Sequence, residues 1–254
     1  MAKPNFSGAE LVERVDFTPD LCMMRFRPET QFPFRPGQYA TLAVEDGDKM
    51  IQRPYSIVSS PYEPFLEFYV ELVPNGLLTP RLWQLKVGDS LWVRNKIVGA
   101  FTLDDKSGMT RHLMAATVTG VAPSISMART QKVDRKNGKA APHRLAVILG
   151  GSRSWEWGVY HEELKRFEKE ALLHYIPTVS RPWEDPDWKG ESGRVEDIVR
   201  KYSDLLEFNH TNAVGYACGH PQMIEKVNAI LTRARFPKER IHEEKFFSVK
   251  APAS

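Results

Sequence analysis

Arg53-Pro54-Tyr55-Ser56, running on into Ile57-Val58-Ser59-Ser60, places a fixed cation, an aromatic ring and a hydroxyl within four residues of a stretch that reads as a strand. Side chains alternate along an extended segment. Arg53 and Tyr55 therefore project to one face and Ser56 to the other, unless a bulge or a strand end re-aims one of them. A planar guanidinium can bond two pyrophosphate oxygens at once. A ring beside it can cover a flat heterocycle, and a hydroxyl can reach that heterocycle's edge. This trio suits a flavin nucleotide. Ordinary strand packing of Tyr55, Ile57 and Val58, with Arg53 as a solvated edge charge, accounts for the four residues equally well. The rest of the chain decides between the two.

The chain has 254 residues, above the ~100–200 usual for one domain. Two domains are expected, 1–104 and 105–254. Hydrophobic and charged contents of 42% and 26% are those of a soluble globular protein. With 35 basic against 32 acidic residues, bulk charge does not point to nucleic acid. Met1-Ala2-Lys3-Pro4-Asn5 lacks the apolar core of a secretory signal. No apolar run approaches the ~18 residues of a membrane span, so a cytoplasmic location without membrane contact is expected. Cys22 and Cys218 lie far apart with no Cys-x-x-Cys pattern, which fits a reducing compartment and no structural metal. His161-Glu162-Glu163 has no second histidine at helical spacing and reads as a polar helix face.

Up to about residue 104, alternating or β-branched runs recur at short intervals. Strands are expected over 11–17, 21–26, 39–44, 53–59, 65–73 and 90–98, with Pro36-Gly37 and Asp46-Gly47 as turns. That spacing argues for an antiparallel barrel or sandwich rather than α/β units. Pro74-Asn75-Gly76-Leu77-Leu78-Thr79 breaks the rhythm and leads into a helical pattern at Leu78, Leu82 and Leu85. Its start offers backbone N–H groups to an anion, and a plain helix cap satisfies the same residues.

From about residue 105 strands alternate with helices, which implies a parallel sheet with helices on both faces. Strands are expected over 112–117, 144–149, 172–180, 213–218 and 241–247, and helices over 124–130, 160–170 and 194–201 and from His220-Pro221 onward. Ligands bind such sheets at the carboxyl ends of the strands. Those ends hold Thr119-Gly120, Gly150-Gly151-Ser152-Arg153, Ser180-Arg181 and Cys218-Gly219-His220-Pro221. Arg153, Arg181 and Arg194 are candidates to converge on one phosphate. No Gly-x-Gly-x-x-Gly with an acid ~20 residues on is present, so a standard Rossmann site is not expected. The region 132–143 reads as a solvated basic loop.

Arg-x-Tyr-Ser in an antiparallel barrel, followed by an α/β domain closing on Cys218-Gly219-His220-Pro221-Gln222-Met223, resembles the ferredoxin/flavodoxin–NADP(+) reductase family, bacterial type. The likeness runs over about 7–250. It is most specific over 52–103, including Leu66-Glu67-Phe68-Tyr69-Val70-Glu71 and the approach to Gly76.

The resemblance implies an FAD-dependent enzyme passing electrons between NADPH and a one-electron carrier, ferredoxin or flavodoxin. It implies that Arg53 pairs with the FAD pyrophosphate, and that Tyr55, beside Pro54, stacks on the flavin with Ser56 at its reactive edge. Tyr69, Val70 and Glu71 would line the flavin, and Gly76, Leu77, Leu78 and Thr79 would hold its phosphates. Thr119 is similar to the family threonine beside flavin and nicotinamide. NADP would be held by Thr119, Gly120, Ser152, Arg153, Ser180, Arg181, Arg194, Cys218, Gly219, Pro221 and Met223, the arginines favouring NADPH over NADH. Ser56, Cys218, Glu244 and Phe247 would form the catalytic set. Phe247, with Phe246 as its neighbour, would cover the flavin as a movable gate.

Two features depart from the family. It commonly has Gly-Thr-Gly where this chain has Val118-Thr119-Gly120, and a β-branched residue resists φ > 0. The tail also continues through Ala251-Pro252-Ala253-Ser254. A small acidic carrier would meet a basic face including Arg27, Arg35 and Lys96, and a monomer is expected. Competing functions on the same fold are an oxygenase reductase component, a free-flavin reductase and a non-catalytic flavin-binding electron-transfer subunit. Two isolated cysteines offer no iron–sulfur segment, so the acceptor is expected to be a separate molecule.

Overall fold

A computed structural model describes residues 4–139 and 143–245. The first six strands are antiparallel: β1 (Phe6–Thr18), β2 (Leu21–Pro28), β3 (Tyr39–Asp46), β4 (Lys49–Ser56), β5 (Leu66–Glu71) and β6 (Ser90–Arg94). They pair in the order β4-β3-β6-β1-β2-β5. The sheet curls until its two ends meet, where the Val58 N–H donates to the Glu67 carbonyl at 2.9 Å. Gly47 turns the β3–β4 hairpin at φ +58°, with Asp46 facing Lys49. β4 stops at Ser56, short of the expected 59, because the next N–H groups change partners. That of Ile57 goes to Gln38 and that of Val58 to Glu67. A six-residue helix, α1 (Thr79–Gln84), separates β5 from β6.

A parallel sheet follows, in the order β10-β9-β8-β7-β11-β12. Its elements in sequence are β7 (Arg111–Thr117), α2 (Ala122–Lys136), β8 (Arg144–Gly151), α3 (Val159–Lys169), β9 (Leu173–Val179), β10 (Glu191–Ser192), α4 (Val195–Leu205), β11 (Ala213–Gly219), α5 (Pro221–Arg233) and β12 (Ile241–Lys245). The chain enters at β7, builds outward to β10 and returns to β11, so β7 and β11 flank the point where the winding reverses. Period-two alternation splits the strands between two cores. Met114, Ala116, Val147 and Leu149 face α2 and α3, whereas Leu113, Ala115, Ala146 and Ile148 face α4 and α5. Among the described residues no helix is long and apolar enough to cross a membrane.

The same alternation joins barrel to sheet. Cys22, Met24, Phe68 and Val70 fill the barrel, while Met23 and Tyr69 point outward into the core shared with α2 and α3. Glu67, also outward, is 0% exposed. Its carboxylate accepts from Arg25 Nε at 2.6 Å, from Arg129 Nη2 at 3.0 Å and from the Tyr160 hydroxyl at 3.0 Å. Arg129 in turn donates to both Glu163 oxygens, at 2.7 and 2.8 Å. A barrel carboxylate is thus held by α2 and α3 of the neighbouring sheet.

Two sequence expectations are corrected here. The region 132–143 is not all loop: α2 runs through Lys136, since nothing breaks the helix before Asn137-Gly138, and Lys132 pairs with Glu170 at 2.7 Å. His161 is not on a plain polar face either. It shares a hydrogen bond with the Tyr175 hydroxyl at 2.9 Å and packs against the Trp157 and Trp188 rings.

Candidate active site

At the end of β4, Ser56 is 6% exposed and its hydroxyl donates to Glu244 Oε2 at 2.8 Å. Cys218, 1% exposed, brings Sγ to 4.0 Å from the same oxygen. β11 and β12 pair with Cys218 opposite Glu244, so the register itself sets thiol beside carboxylate. Three of the four residues expected to be catalytic are therefore together, drawn from three strands and both sheets. Phe247, like Phe246, lies outside the described residues. Burial raises the Glu244 carboxyl above its ordinary range, partly offset by the Ser56 hydrogen bond. Burial, with the Glu244 charge beside it, holds Cys218 well above a normal thiol. Both effects favour the neutral thiol over the thiolate at Cys218.

Beside Ser56, the Tyr55 ring is half-buried and meets Phe68 edge-on at 6.3 Å. Pro54 and Arg53 are exposed, and Arg53 Nη1 donates to the Gln52 carbonyl at 2.7 Å. The remaining guanidinium N–H groups are available to an anion. Among the described residues, a cation with N–H groups to spare, a ring two positions on and a hydroxyl next to that ring are a donor set that fits a flavin nucleotide.

Other expected flavin contacts are placed differently. Tyr69 is 4% exposed, and its hydroxyl donates to the Glu156 carbonyl across the domain junction. Val70 is buried inside the barrel, and Glu71 is exposed. β5 is covered on both faces at Tyr69 and Val70, so there its edge backbone, rather than these side chains, faces the β4 side. The Thr79 hydroxyl accepts from Val73 N–H and donates to Val73 O, both at 3.0 Å, closing the turn on itself. A Cβ on Gly76 would come within 3.1 Å of that hydroxyl and 3.0 Å of the Val73 carbonyl, so any larger residue would push on this turn. Leu77 is exposed and Leu78 is core.

On the nucleotide side, the turns after β7 and β11 interlock. Thr117 Oγ1 accepts from the His220 N–H at 2.8 Å. A Cβ on Gly120 would come within 2.3 Å of the Cys218 carbonyl oxygen, so only glycine fits. Gly219 has φ +124°. Thr119 sits in the short turn between them, half-exposed. Val118, expected to resist φ > 0, takes φ +43°. The two pinned turns impose this conformation on it.

Two of the three arginines share one carboxylate. Arg153 Nε contacts Glu184 at 2.7 Å and Arg181 Nη1 contacts the same carboxylate at 3.5 Å. Arg194 is the N-cap of α4, its N–H donating to Asp197 at 3.0 Å. The Ser180 N–H donates to the Gly151 carbonyl at 2.9 Å and the Arg181 N–H to that of Ser152 at 3.0 Å, which ties the loops after β8 and β9 together. Pro221 opens α5, and Met223 packs in the core beneath it. Sequence reasoning missed Glu67, Arg129, Glu156 and Glu184. Only Glu67 carried a signal, a carboxylate within the apolar Leu66-Glu67-Phe68-Tyr69-Val70 run.

Residues 8–101 match the oxidoreductase FAD-binding domain family, and residues 114–229 match the oxidoreductase NAD-binding domain family. Together with the site, these matches define an FAD-dependent oxidoreductase that uses a nicotinamide dinucleotide. The flavodoxin/ferredoxin–NADP reductase of Buchnera aphidicola subsp. Baizongia pistaciae is 30% identical over 84% of each chain. The protein of that name from Escherichia coli (strain K12) is 33% identical over 76% of each. A solved ferredoxin NADP+ reductase from Neisseria gonorrhoeae, with bound FAD and NADP, shares the fold at TM-score 0.83 and 19% identity, covering 96% of this chain and all of its own. This chain belongs to the flavodoxin/ferredoxin–NADP reductase family.

Proposed function

We propose that this protein passes electrons between NADPH and a small acidic one-electron carrier, a ferredoxin or a flavodoxin. The reading is carried by the Ser56–Glu244–Cys218 contact, which joins the Arg-x-Tyr-Ser strand of the barrel to the carboxyl ends of β11 and β12. Bound FAD supplies the conversion between two-electron and one-electron transfer. Arg53 and the turn from Gly76 to Thr79 hold its pyrophosphate, while Pro54, Tyr55 and the backbone of Tyr69, Val70 and Glu71 frame its ring. Glu244 retains a proton to higher pH than an exposed carboxylate and keeps the Ser56 hydroxyl oriented. Gly120 and Gly219 let the turns after β7 and β11 pack directly on each other, and Thr119 in that turn meets the nicotinamide half beside Cys218.

On the same reading, Arg153, Arg181 and Arg194, with Ser152 and Ser180, receive the adenosine 2′-phosphate. A division of the chain near 104/105 separates the two binding units, and the protein acts as a cytoplasmic monomer. Arg27 and Lys96 are exposed and can meet an acidic carrier, whereas Arg35 is paired with Asp105. Such encounters are weak and salt-sensitive.

Anaerobic mixing of the flavin-loaded protein with NADPH should bleach the flavin band. Adding ferredoxin or flavodoxin should then restore it. Absence of bleaching would overturn the enzyme reading. Bleaching reversed by free flavin, but by neither carrier, would point to a flavin reductase instead.

A further inference from the structure

The loops after β8 and β9 bring together two guanidiniums and two carboxylates whose roles differ. Glu156 belongs to the loop itself, because Oε2 accepts the Ser152 N–H at 2.7 Å and Oε1 meets Arg153 Nη1 at 3.1 Å. Glu184 serves no such backbone purpose: its side chain's contacts among the described residues are to arginines alone. Oε2 takes Arg153 Nε at 2.7 Å and Oε1 faces Arg181 Nη1 at 3.5 Å. It ends a three-residue turn (Pro182–Glu184), and its side chain is 36% exposed, so rotation away meets little resistance. One carboxylate offering an oxygen to each of two arginines has the bonding pattern of a phosphate, with less negative charge.

We propose that Glu184 is an internal stand-in for the nucleotide 2′-phosphate and a specificity-determining residue. Without nucleotide it keeps Arg153 and Arg181 charge-balanced and oriented, and an arriving phosphate must displace it. An unphosphorylated ribose makes no such demand, and a carboxylate here can accept from its 2′-hydroxyl, as acids do in NAD sites. Glu184 therefore narrows the gap between phosphorylated and unphosphorylated dinucleotides. The proposal rests on the 2′-phosphate reading of Arg153 and Arg181 given above.

The test is calorimetric titration of the FAD-loaded protein with 2′,5′-ADP and with 5′-ADP, which needs no turnover. Glu184→Gln and Glu184→Ala should each tighten 2′,5′-ADP by about 3- to 30-fold, the range expected when exposed ion pairs and one like-charge repulsion are removed. Binding of 5′-ADP should stay within about 2-fold or weaken slightly. Unchanged or weaker 2′,5′-ADP binding in both variants would overturn the proposal. Arg153→Ala separates the two levels of inference. If it weakens 2′,5′-ADP by about 10-fold or more while Glu184→Gln changes nothing, the phosphate site stands and only the stand-in role falls. If Arg153→Ala leaves 2′,5′-ADP binding intact, the phosphate site itself is wrong.

Discussion

Ser56 and Glu244 lie 188 positions apart, yet the hydroxyl of one donates to the carboxylate of the other at 2.8 Å. The bond closes the junction between the last residue of β4 and the outermost strand of the parallel sheet.

That junction has a pH signature. Burial raises the Glu244 carboxyl, so the folded protein keeps this proton to a higher pH than the unfolded chain does. The stability contributed by the group is complete below its unfolded pKa and is lost as pH rises through the folded one. Glu244→Gln, a permanent mimic of the protonated form, should remove this fall. Its melting temperature relative to the native protein should rise as pH is taken from the acidic range to neutrality. Parallel pH profiles for the two proteins would contradict the assignment.

The Glu67 network should behave as one unit. Arg129→Met leaves a fully buried carboxylate with Arg25 and Tyr160 alone, and should cost about 3 kcal/mol in denaturant unfolding. Combining it with Glu67→Gln should cost less than the sum of the single changes, by more than ~1 kcal/mol. Strict additivity would show that the contacts are incidental.

Val118 offers a reversal of the usual ranking. Alanine would keep most of the strain at φ +43° and lose packing, whereas glycine loses the same packing but relieves ~1–2 kcal/mol of left-handed strain. Val118→Gly should therefore melt above Val118→Ala and bind NADP(+) more tightly than the native protein. Thermal melts and nucleotide titration check both, and Ala melting above Gly would refute the strain.

Arg53 is exposed and its described hydrogen bond is to its neighbour's carbonyl, so its loss should scarcely affect folding. Arg53→Ala should weaken FAD binding by about 10- to 100-fold, the worth of a charge-assisted bidentate contact. Flavin content after gel filtration reads this directly. Full retention would remove Arg53 from the pyrophosphate.

Several features were visible in the residues alone because they are local. Strand alternation, the Asp46-Gly47 turn and the strand-then-helix rhythm after residue 105 each depend on neighbours within one element. So does the Arg53-Pro54-Tyr55-Ser56 stretch, whose chemistry is carried within four consecutive residues. Alternation also says which side chains share a face, but not what covers that face. Tyr69 was expected beside a flavin and lies instead in the core between the domains, since α2 and α3 cover the outer face of β5.

By itself, then, the sequence determined the two fold types, the family and the two cofactors, a flavin and a nicotinamide dinucleotide. Only the tertiary structure decided which groups are already engaged. Glu67 is buried with partners from three other elements, Glu184 pairs with two arginines, and Val118 is held at positive φ by turns packed from β7 and β11. Each depends on a contact between residues that the chain brings together only by folding, and charge pairing and backbone strain are settled by distance in space, which local sequence does not encode.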